Sequence, residues 1–247
     1  MRSCGDKRYP VLLIGESSRS KSGRNRGDPV LVTSFVAPMF ATNCWVIAAG
    51  IGQECIIIDP GMPDISHEIT ALVAENGLKP VASLITHGHL DHTFSVKPLA
   101  DGYGIPAYIH TEDRDLLLRP QAAHGAEFIT TLDAMEFVEP KEVKNLRHGD
   151  EIQVLDMKIT AIHSPGHTRG STMFSINDEL LISGDVLFAG SIGRTDLPSG
   201  SHDAMQKTLK TRVLPLSDDL RVLPGHGPET TIKFERKNNP YLKELRL

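Results

Sequence analysis

Apolar and polar positions alternate in short blocks along most of the chain, and these blocks predict strands and helices in turn. Residues 29–37, 43–49 and 54–58 are runs rich in Val and Ile that are typical of strands. Between residues 65 and 75 the apolar side chains recur every three or four positions, which predicts an amphipathic helix that ends at Gly77. The same criteria predict further strands at 107–109, 152–155, 158–162, 172–176 and 180–182, and further helical segments at 94–100, 113–118, 203–213 and 232–236.

Two strand-rich halves with interspersed helices predict two sheets that pack face to face, with the helices outside. A chain of 247 residues is long enough for one domain with a substantial core, which we place at residues 29–247. Residues 1–28 differ, because their second half is basic, small and polar and has little apolar surface to bury. We predict a disordered N-terminal extension there. A targeting arm is the alternative, since Arg- and Ser-rich segments resemble transit peptides.

A second irregular stretch lies between residues 119 and 140 and is rich in Ala, Thr, Met and Phe. Its length without a clear pattern is compatible with a lid over an active site or with a surface insertion, and we favour the insertion.

The most informative motif follows an apolar run at residues 81–85 that is typical of a buried strand. Three imidazoles and one carboxylate fall within six positions, as His87, His89, Asp91 and His92. Imidazole and carboxylate groups are ligands that zinc, iron and manganese accept. Such a cluster is rarely a coincidence in a chain of this composition, so it predicts a metal site.

Three more potential ligands each follow another strand-like run, in a turn that contains glycine. They are His167, Asp185 and His226. Glycine lets the backbone turn sharply and approach an ion closely. His87 and His89 lie two residues apart and can share one ion, whereas Asp91 and His92 begin the next element and point elsewhere. The sequence therefore predicts room for a second ion.

Taken in order, these motifs resemble those of metallo-β-lactamase-fold hydrolases, and most of all those of the glyoxalase II branch, the hydroxyacylglutathione hydrolases. The matching segments are residues 59–61, 86–92, 165–168, 184–185 and 224–226, with two further stretches at 190–196 and 235–240. The resemblance covers roughly residues 30–241. It implies a four-layer αββα sandwich.

The resemblance also implies two divalent ions per chain, with zinc expected and iron or manganese as alternatives. The implied ligands of the first ion are His87, His89 and His167, and those of the second are Asp91, His92 and His226. Asp185 would bridge both ions. Asp59 would lie just behind the site and hold the loop of the histidine motif, as outer partners of metal ligands do.

The implied reaction is hydrolysis of a thioester, such as S-lactoylglutathione or a related hydroxyacyl thioester, by a hydroxide shared between the two ions. A thiol has a pKa of about 8.5 and leaves without a general acid. Asp91 is a candidate acceptor for the proton of the attacking water. Arg194 is a candidate substrate contact, because glyoxalase II enzymes place a glutathione-binding basic residue at that position. The alternative for Arg194 is an ion pair with Asp196, Asp185 or Asp59 that braces the loop.

The chain departs from the glyoxalase II pattern where that family binds glutathione. Asp196 and Pro228 stand at positions where full-length members have tyrosines. We expect no counterpart to the C-terminal helical region whose basic residues bind glutathione in that family. The identity of the thiol carrier is therefore open.

Two other activities remain open on the same fold. A persulfide dioxygenase would use one iron on His87, His167 and Asp185, which leaves His92 and His226 without a required role. A lactone, a β-lactam or a phosphodiester could instead be the substrate of the same two ions. A non-catalytic binding module is disfavoured, because the ligand set is complete.

Composition agrees with a cytoplasmic enzyme that acts on a small molecule. Acidic residues outnumber basic ones by 31 to 26 and the pI is near 6.1, which argues against a nucleic-acid partner. No apolar stretch approaches the length of a membrane span. The three cysteines have no metal or redox spacing and suit a reducing compartment. The other histidines, His67, His110, His124, His148, His163 and His202, lack metal spacing and are expected to be structural or superficial.

Overall fold

The computed structural model describes residues 12–14, 30–124, 135–154 and 157–245. Within these ranges the first sheet has seven strands, and their order in the sheet follows the chain. They are β1 (Leu12–Ile14), β2 (Val30–Val36), β3 (Asn43–Ala48), β4 (Glu54–Ile58), β5 (Lys79–Leu84), β6 (Ala107–His110) and β7 (Val143–Leu146). Neighbours from β1 to β4 are antiparallel, whereas β4 to β7 run parallel.

The second sheet has six strands among the described residues. They are β8 (Glu151–Val154), β9 (Met157–His163), β10 (Thr172–Ile176), β11 (Leu180–Gly184), β12 (Arg221–Pro224) and β13 (Thr230–Thr231). Their order in the sheet is β13-β12-β11-β10-β9-β8. All neighbours are antiparallel except β11 and β12, which run parallel.

Six α-helices join or flank these strands in the described ranges. They are α1 (Ser66–Glu75), α2 (Leu90–Thr93), α3 (Val96–Tyr103), α4 (His202–Thr208), α5 (Ile232–Asn238) and α6 (Pro240–Glu244). Short 3-10 turns cover Thr111–Leu117 and Pro120–Ala123, and a π-helical turn, Leu209–Val213, continues α4. None of the helices described is both long and apolar enough to cross a membrane.

The core has three layers of apolar contact, which follow from the period of two in the strands. On β4, Ile56 and Ile58 face the second sheet and pack in one cluster with Phe174. The alternate residue Ile57 faces outward and packs against the apolar side of α1. On the far side, Leu181 packs with side chains of α4 and of the turn that follows it. The predicted four-layer αββα sandwich is thus confirmed.

Some local predictions differ from the structure. The strand β7 was not expected, because its sequence Val-Lys-Asn-Leu has no clear alternation of apolar and polar residues. Leu12–Ile14 lies in the segment expected to be a disordered extension, yet it pairs with β2 as an edge strand. The other residues of the segment 1–28 lie outside the described residues, so the domain boundary stays a prediction.

The topology brings many strand ends to one edge of the sandwich. The strands β4, β5 and β6 are parallel, so their carboxyl ends lie side by side. In the other sheet β9, β11 and β12 run in one direction and end together. The two edges meet, because the Trp45 indole N–H donates to the Pro224 carbonyl at 3.0 Å and the Thr172 amide donates to the Thr86 carbonyl at 2.8 Å.

Candidate metal centre

Five segments at this edge carry the seven side chains predicted to bind metal. They lie after β5 (His87 and His89), on α2 (Asp91 and His92), between β9 and β10 (His167), after β11 (Asp185) and after β12 (His226). The structure brings all seven together in two groups of three, which a third set, His87, His92 and Asp185, connects. That they hold ions stays a prediction, and the geometry of each group bears on it.

The first group consists of the three imidazoles of His87, His89 and His167. The Nδ1 atom of His89 lies 3.1 Å from Nε2 of His87 and 2.8 Å from Nε2 of His167. All three side chains are buried. Three ring nitrogens at this spacing would suit one face of a tetrahedral metal site.

The second group consists of Asp91, His92 and His226. The Nε2 atoms of His92 and His226 lie 3.2 Å apart, and Oδ2 of Asp91 lies 3.4 Å from each of them. The Asp91 carboxylate also accepts a hydrogen bond of 3.0 Å from the Thr42 hydroxyl.

Asp185 lies between the two groups and contacts both. Its Oδ2 atom is 3.5 Å from Nε2 of His167 and 3.4 Å from Nε2 of His226. Its Oδ1 atom faces His92 at 3.5 Å and is buried without a hydrogen-bond partner among the described residues. Burying an unpartnered carboxylate oxygen is costly, and a cation would satisfy it. The residues therefore fit two ions that share one carboxylate.

Gly225 makes room for this carboxylate at the end of β12. A Cβ atom on Gly225 would collide with Oδ1 of Asp185 and would lie 2.8 Å from Cε1 of His92. Only glycine allows the turn that carries His226 to approach so closely.

Asp59 contacts the histidine motif at Thr86 and at His92. One carboxylate oxygen accepts the Thr86 amide at 2.8 Å, and the other accepts the Thr86 hydroxyl at 2.6 Å. The second oxygen also lies 3.0 Å from Nδ1 of His92. Asp59 therefore holds the start of the histidine motif and orients one ring of the second group.

Two backbone carbonyls orient further rings. Nδ1 of His167 lies 2.7 Å from the Arg194 carbonyl, and Nδ1 of His226 lies 3.0 Å from the Phe40 carbonyl. A carbonyl can only accept, so each Nδ1 carries a proton, and in the neutral ring Nε2 has the lone pair that can bind an ion.

A family model for the metallo-beta-lactamase superfamily matches residues 37–226. The chain belongs to this superfamily. Its members are generally metal-dependent hydrolases.

Three relatives of the chain within the superfamily are informative. It is 32% identical to hydroxyacylglutathione hydrolase GloC of Haemophilus influenzae, over 82% of this chain and 93% of that protein. The solved structure of BLEG-1 B3 metallo-beta-lactamase is 32% identical, with a TM-score of 0.76 over 85% of this chain and 99% of that one. TTHA1623, solved in a di-iron-bound form, is 31% identical, with a TM-score of 0.69 over the same shares.

The two ligand groups of this superfamily member differ in their electrostatics. Burial, together with neighbouring histidines, lowers the pKa of His87 and His89 well below the usual range. Burial would also lower the pKa of His92, but Asp91, Asp185 and Asp59 outweigh it and raise that pKa to about 9.

His226 behaves as His92 does. Its burial is offset by hydrogen bonds to the carboxylates of Asp185 and Asp91, which raise its pKa to about 10. In turn, His92 and His226 outweigh the burial of Asp91 and lower the pKa of that carboxyl. Without metal, the second group is therefore a network of charged pairs, whereas His87 and His89 stay neutral.

Arg194, the predicted substrate contact, takes the alternative arrangement considered for it. Its guanidinium pairs with the Asp196 carboxylate through two hydrogen bonds of 2.7 Å. Both side chains are exposed, by 61% and 68%. The substrate contact of this exposed side chain stays a prediction, while the Arg194 carbonyl orients the ring of His167.

Sequence reasoning missed two residues beside the centre. His124 accepts the Leu90 amide at 3.2 Å, and its ring centroid lies 5.0 Å from that of His89. Asp113 is buried behind the first group, with hydrogen bonds to Gly88 and Thr168. Neither residue lies in a motif, although Asp113 does follow β6, whose carboxyl end lies at the same edge as that of β5.

The described ends of the irregular stretch 119–140 pack close to this region. Phe137 joins Leu90 and Met62 in a small apolar cluster beside α2. Residues 125–134 lie outside the described residues, so the choice between a lid and a surface insertion stays a prediction.

Proposed function

We propose that this protein is a dinuclear hydrolase that cleaves thioesters, with S-lactoylglutathione or a related hydroxyacyl thioester as substrate. The observation that carries the proposal is the Asp185 carboxylate, which lies between two complete groups of three ligands. A shared carboxylate at this position suits two adjacent divalent ions, with zinc expected and iron or manganese as alternatives.

When bound, two such ions polarise a carbonyl group and lower the pKa of water to about 7. The chain contributes the positioning. Asp185 sets the separation of the two groups, and the carbonyls of Arg194 and Phe40 hold His167 and His226 in the tautomer that can bind metal.

Asp91 is the group proposed to accept the proton of the attacking water. Its low pKa in the metal-free protein keeps the carboxyl ionised at neutral pH. Thr42 restrains the carboxylate through its Oδ2 atom. No residue is needed to protonate the departing group, because a thiol leaves as a stable anion.

The substrate class is supported by GloC, whose name gives hydroxyacylglutathione as its substrate. BLEG-1 is equally similar in sequence and is a β-lactamase, so a β-lactam belongs in any test. A persulfide dioxygenase is not favoured, because one iron on three ligands would leave the second group without a task. Cytoplasmic location, a small-molecule partner and Arg194 as a substrate contact are parts of the same proposal.

The test is turnover by enzyme loaded with zinc, manganese or ferrous iron. S-lactoylglutathione is assayed beside a lactone, a β-lactam and a phosphodiester, and oxygen uptake is followed with glutathione persulfide. We expect thioester hydrolysis to exceed every other activity, with two ions per chain by elemental analysis. Faster turnover of another substrate, or oxygen uptake with one iron per chain, would replace the proposal.

The role of Asp91 has its own experiment. Asp91→Asn should lower kcat strongly while at least part of the metal is retained. Unchanged turnover with both ions bound would remove Asp91 as the proton acceptor.

A further inference from the structure

Asp113 is a buried carboxylate whose partners are neutral. It lies in the 3-10 turn Thr111–Leu117 after β6, and its side chain is 0% exposed. One oxygen, Oδ2, accepts the Gly88 amide at 2.9 Å and the Thr168 hydroxyl at 2.6 Å. The other, Oδ1, accepts the Gly170 amide at 2.7 Å.

These partners belong to the two turns that carry the first ligand group. Gly88 lies between His87 and His89, and Thr168 directly follows His167. A single carboxylate thus joins both turns. The turns are distant in the chain, since His89 and His167 are 78 residues apart. A shift in either turn would break at least one of the three hydrogen bonds.

Close packing makes this link stiff. A Cβ atom on Gly88 would lie 2.6 Å from Cβ of Leu116 and 3.0 Å from the Asp113 carbonyl oxygen. A Cβ atom on Gly170 would lie 2.6 Å from Cγ of Asp113. Both ligand-bearing turns therefore touch the 3-10 turn with no space for a side chain between them.

Burying a carboxylate costs free energy, so stability alone does not account for this arrangement. Burial raises the pKa of Asp113, and the hydrogen bonds from Thr168, Gly88 and Gly170, with a smaller electrostatic contribution from His167, oppose that effect. An apolar side chain of similar volume would often stabilise a buried position equally well. What a carboxylate adds is directional bonding to two separate turns.

We infer that Asp113 is a positioning residue for the first ion, which fixes the His87–His89 turn against the His167 turn so that three ring nitrogens converge. Asp59 has the corresponding task at the start of the motif and for His92. The inference rests on the proposed metal centre, but not on the proposed substrate.

The test measures the affinity of each ligand group separately. Metal-free protein is titrated with Co²⁺ and followed by visible absorption, and Zn²⁺ affinity is measured by chelator competition. His226→Asn weakens the second group and leaves the first to be titrated, whereas His167→Asn does the reverse. Asp113→Asn is then added to each background.

We expect Asp113→Asn to weaken binding at the first group about 10–100-fold, the usual cost of removing an outer partner of a ligand. Binding at the second group should change by less than about threefold, and the Co²⁺ spectrum of the first group should shift. Thr168→Val removes one of the three hydrogen bonds and should give a smaller change in the same direction. It keeps the inference testable if Asp113→Asn does not fold.

Glu235→Gln is the matched control. Glu235 is also 0% exposed and accepts three hydrogen bonds, from Gly190 at 2.8 Å, Thr230 at 2.6 Å and Asn239 at 2.9 Å, but none of these residues adjoins a predicted ligand. The Glu235→Gln variant should have lower thermal stability and unchanged ion affinity at both groups.

Loss of stability in Asp113→Asn and Thr168→Val, with the first-group affinity and spectrum unchanged, would overturn the inference. Failure of the wild-type enzyme to cleave thioesters would overturn the proposed substrate and leave this result standing.

Discussion

The first ligand group is a closed set of imidazoles, whereas the second is an open set that includes a carboxylate. His87, His89 and His167 are all buried, and the group contains no carboxylate. In the second group, His226 is 26% exposed and lies beside Asp91, which is 14% exposed. The two groups are built from similar residues and meet at Asp185, yet solvent reaches mainly the second.

This difference suggests a division of labour. In the first group, lowered pKa values leave the lone pairs of His87 and His89 free at neutral pH, so an ion need not displace protons from them. In the second, an ion must displace protons from His92 and His226. We therefore expect the first group to fill before the second in a titration at neutral pH.

The largest effect should come from the residue that the two groups share. Asp185→Asn removes the carboxylate that faces both, so the pair of ions should be lost and the protein should retain one at most. Two-metal catalysis contributes several kcal/mol, so we expect turnover to fall by about a thousandfold or more.

Metal content and kcat check this prediction. Asp219→Asn, an exposed carboxylate that precedes β12 at the opposite edge, is the control and should behave as wild type. Full activity of Asp185→Asn with two ions bound would contradict the shared-carboxylate arrangement.

Asp59→Asn should give the next largest effect and act mainly on the second group. The amide has one oxygen in place of two, so it cannot accept the Thr86 amide, the Thr86 hydroxyl and Nδ1 of His92 together as the carboxylate does. Affinity at the second group should fall about 10–100-fold. Chelator competition in the His167→Asn background measures it, with the exposed Asp64→Asn as control. A loss of ion affinity confined to the first group would contradict the role of Asp59 in orienting His92.

The pH dependence of stability should separate the two groups in metal-free protein. The raised pKa values of His92 and His226 contribute stability that is complete below about 6.5, the pKa of histidine in an unfolded chain, and is lost as pH rises through about 9 to 10. The lowered pKa values of His87 and His89 act in the opposite sense, because the unfolded chain gains protons below about 6.5 that the folded chain does not bind.

Urea unfolding of chelated protein from pH 5 to 10 should therefore give a maximum of stability near neutral pH. His226→Asn should flatten the alkaline side and leave the acid side in place. An alkaline side that is unchanged in this variant would refute the charged network of the second group.

The clustering of the candidate ligands could be predicted from the sequence because most of them lie shortly after a strand. A hydrophobic run that ends in glycine and one imidazole or carboxylate marks a strand end, and parallel strands bring such ends to one edge. His167, Asp185 and His226 are all of this kind. The assignment of each to an ion came from the resemblance to a known family, since spacing alone left the grouping open.

Asp113 could not be predicted in the same way. Its three partners lie 25, 55 and 57 residues away, and its role depends on how three turns pack together. The same limit applies to the carbonyls of Phe40 and Arg194, because any residue type can supply a carbonyl. The sequence predicts side-chain chemistry well, but these supports depend on the packing of distant turns.

The smallest expected effect concerns Arg194, whose backbone and side chain have separate contacts. Its carbonyl orients His167, and its side chain pairs with Asp196 at the surface. Arg194→Ala keeps the carbonyl, so ion affinity at the first group should not change. An exposed ion pair contributes only about 0–1 kcal/mol, so stability should change little.

What Arg194→Ala should change is KM for a thioester that carries a carboxylate, by about three- to tenfold, if the guanidinium can leave Asp196 to form the bidentate contact that arginine favours with carboxylates. Asp196→Asn separates this role from loop bracing. It frees the guanidinium and should lower KM for the same substrate, whereas a bracing role predicts that both variants raise KM together. A neutral thioester, for which neither variant should alter KM, is the matched control.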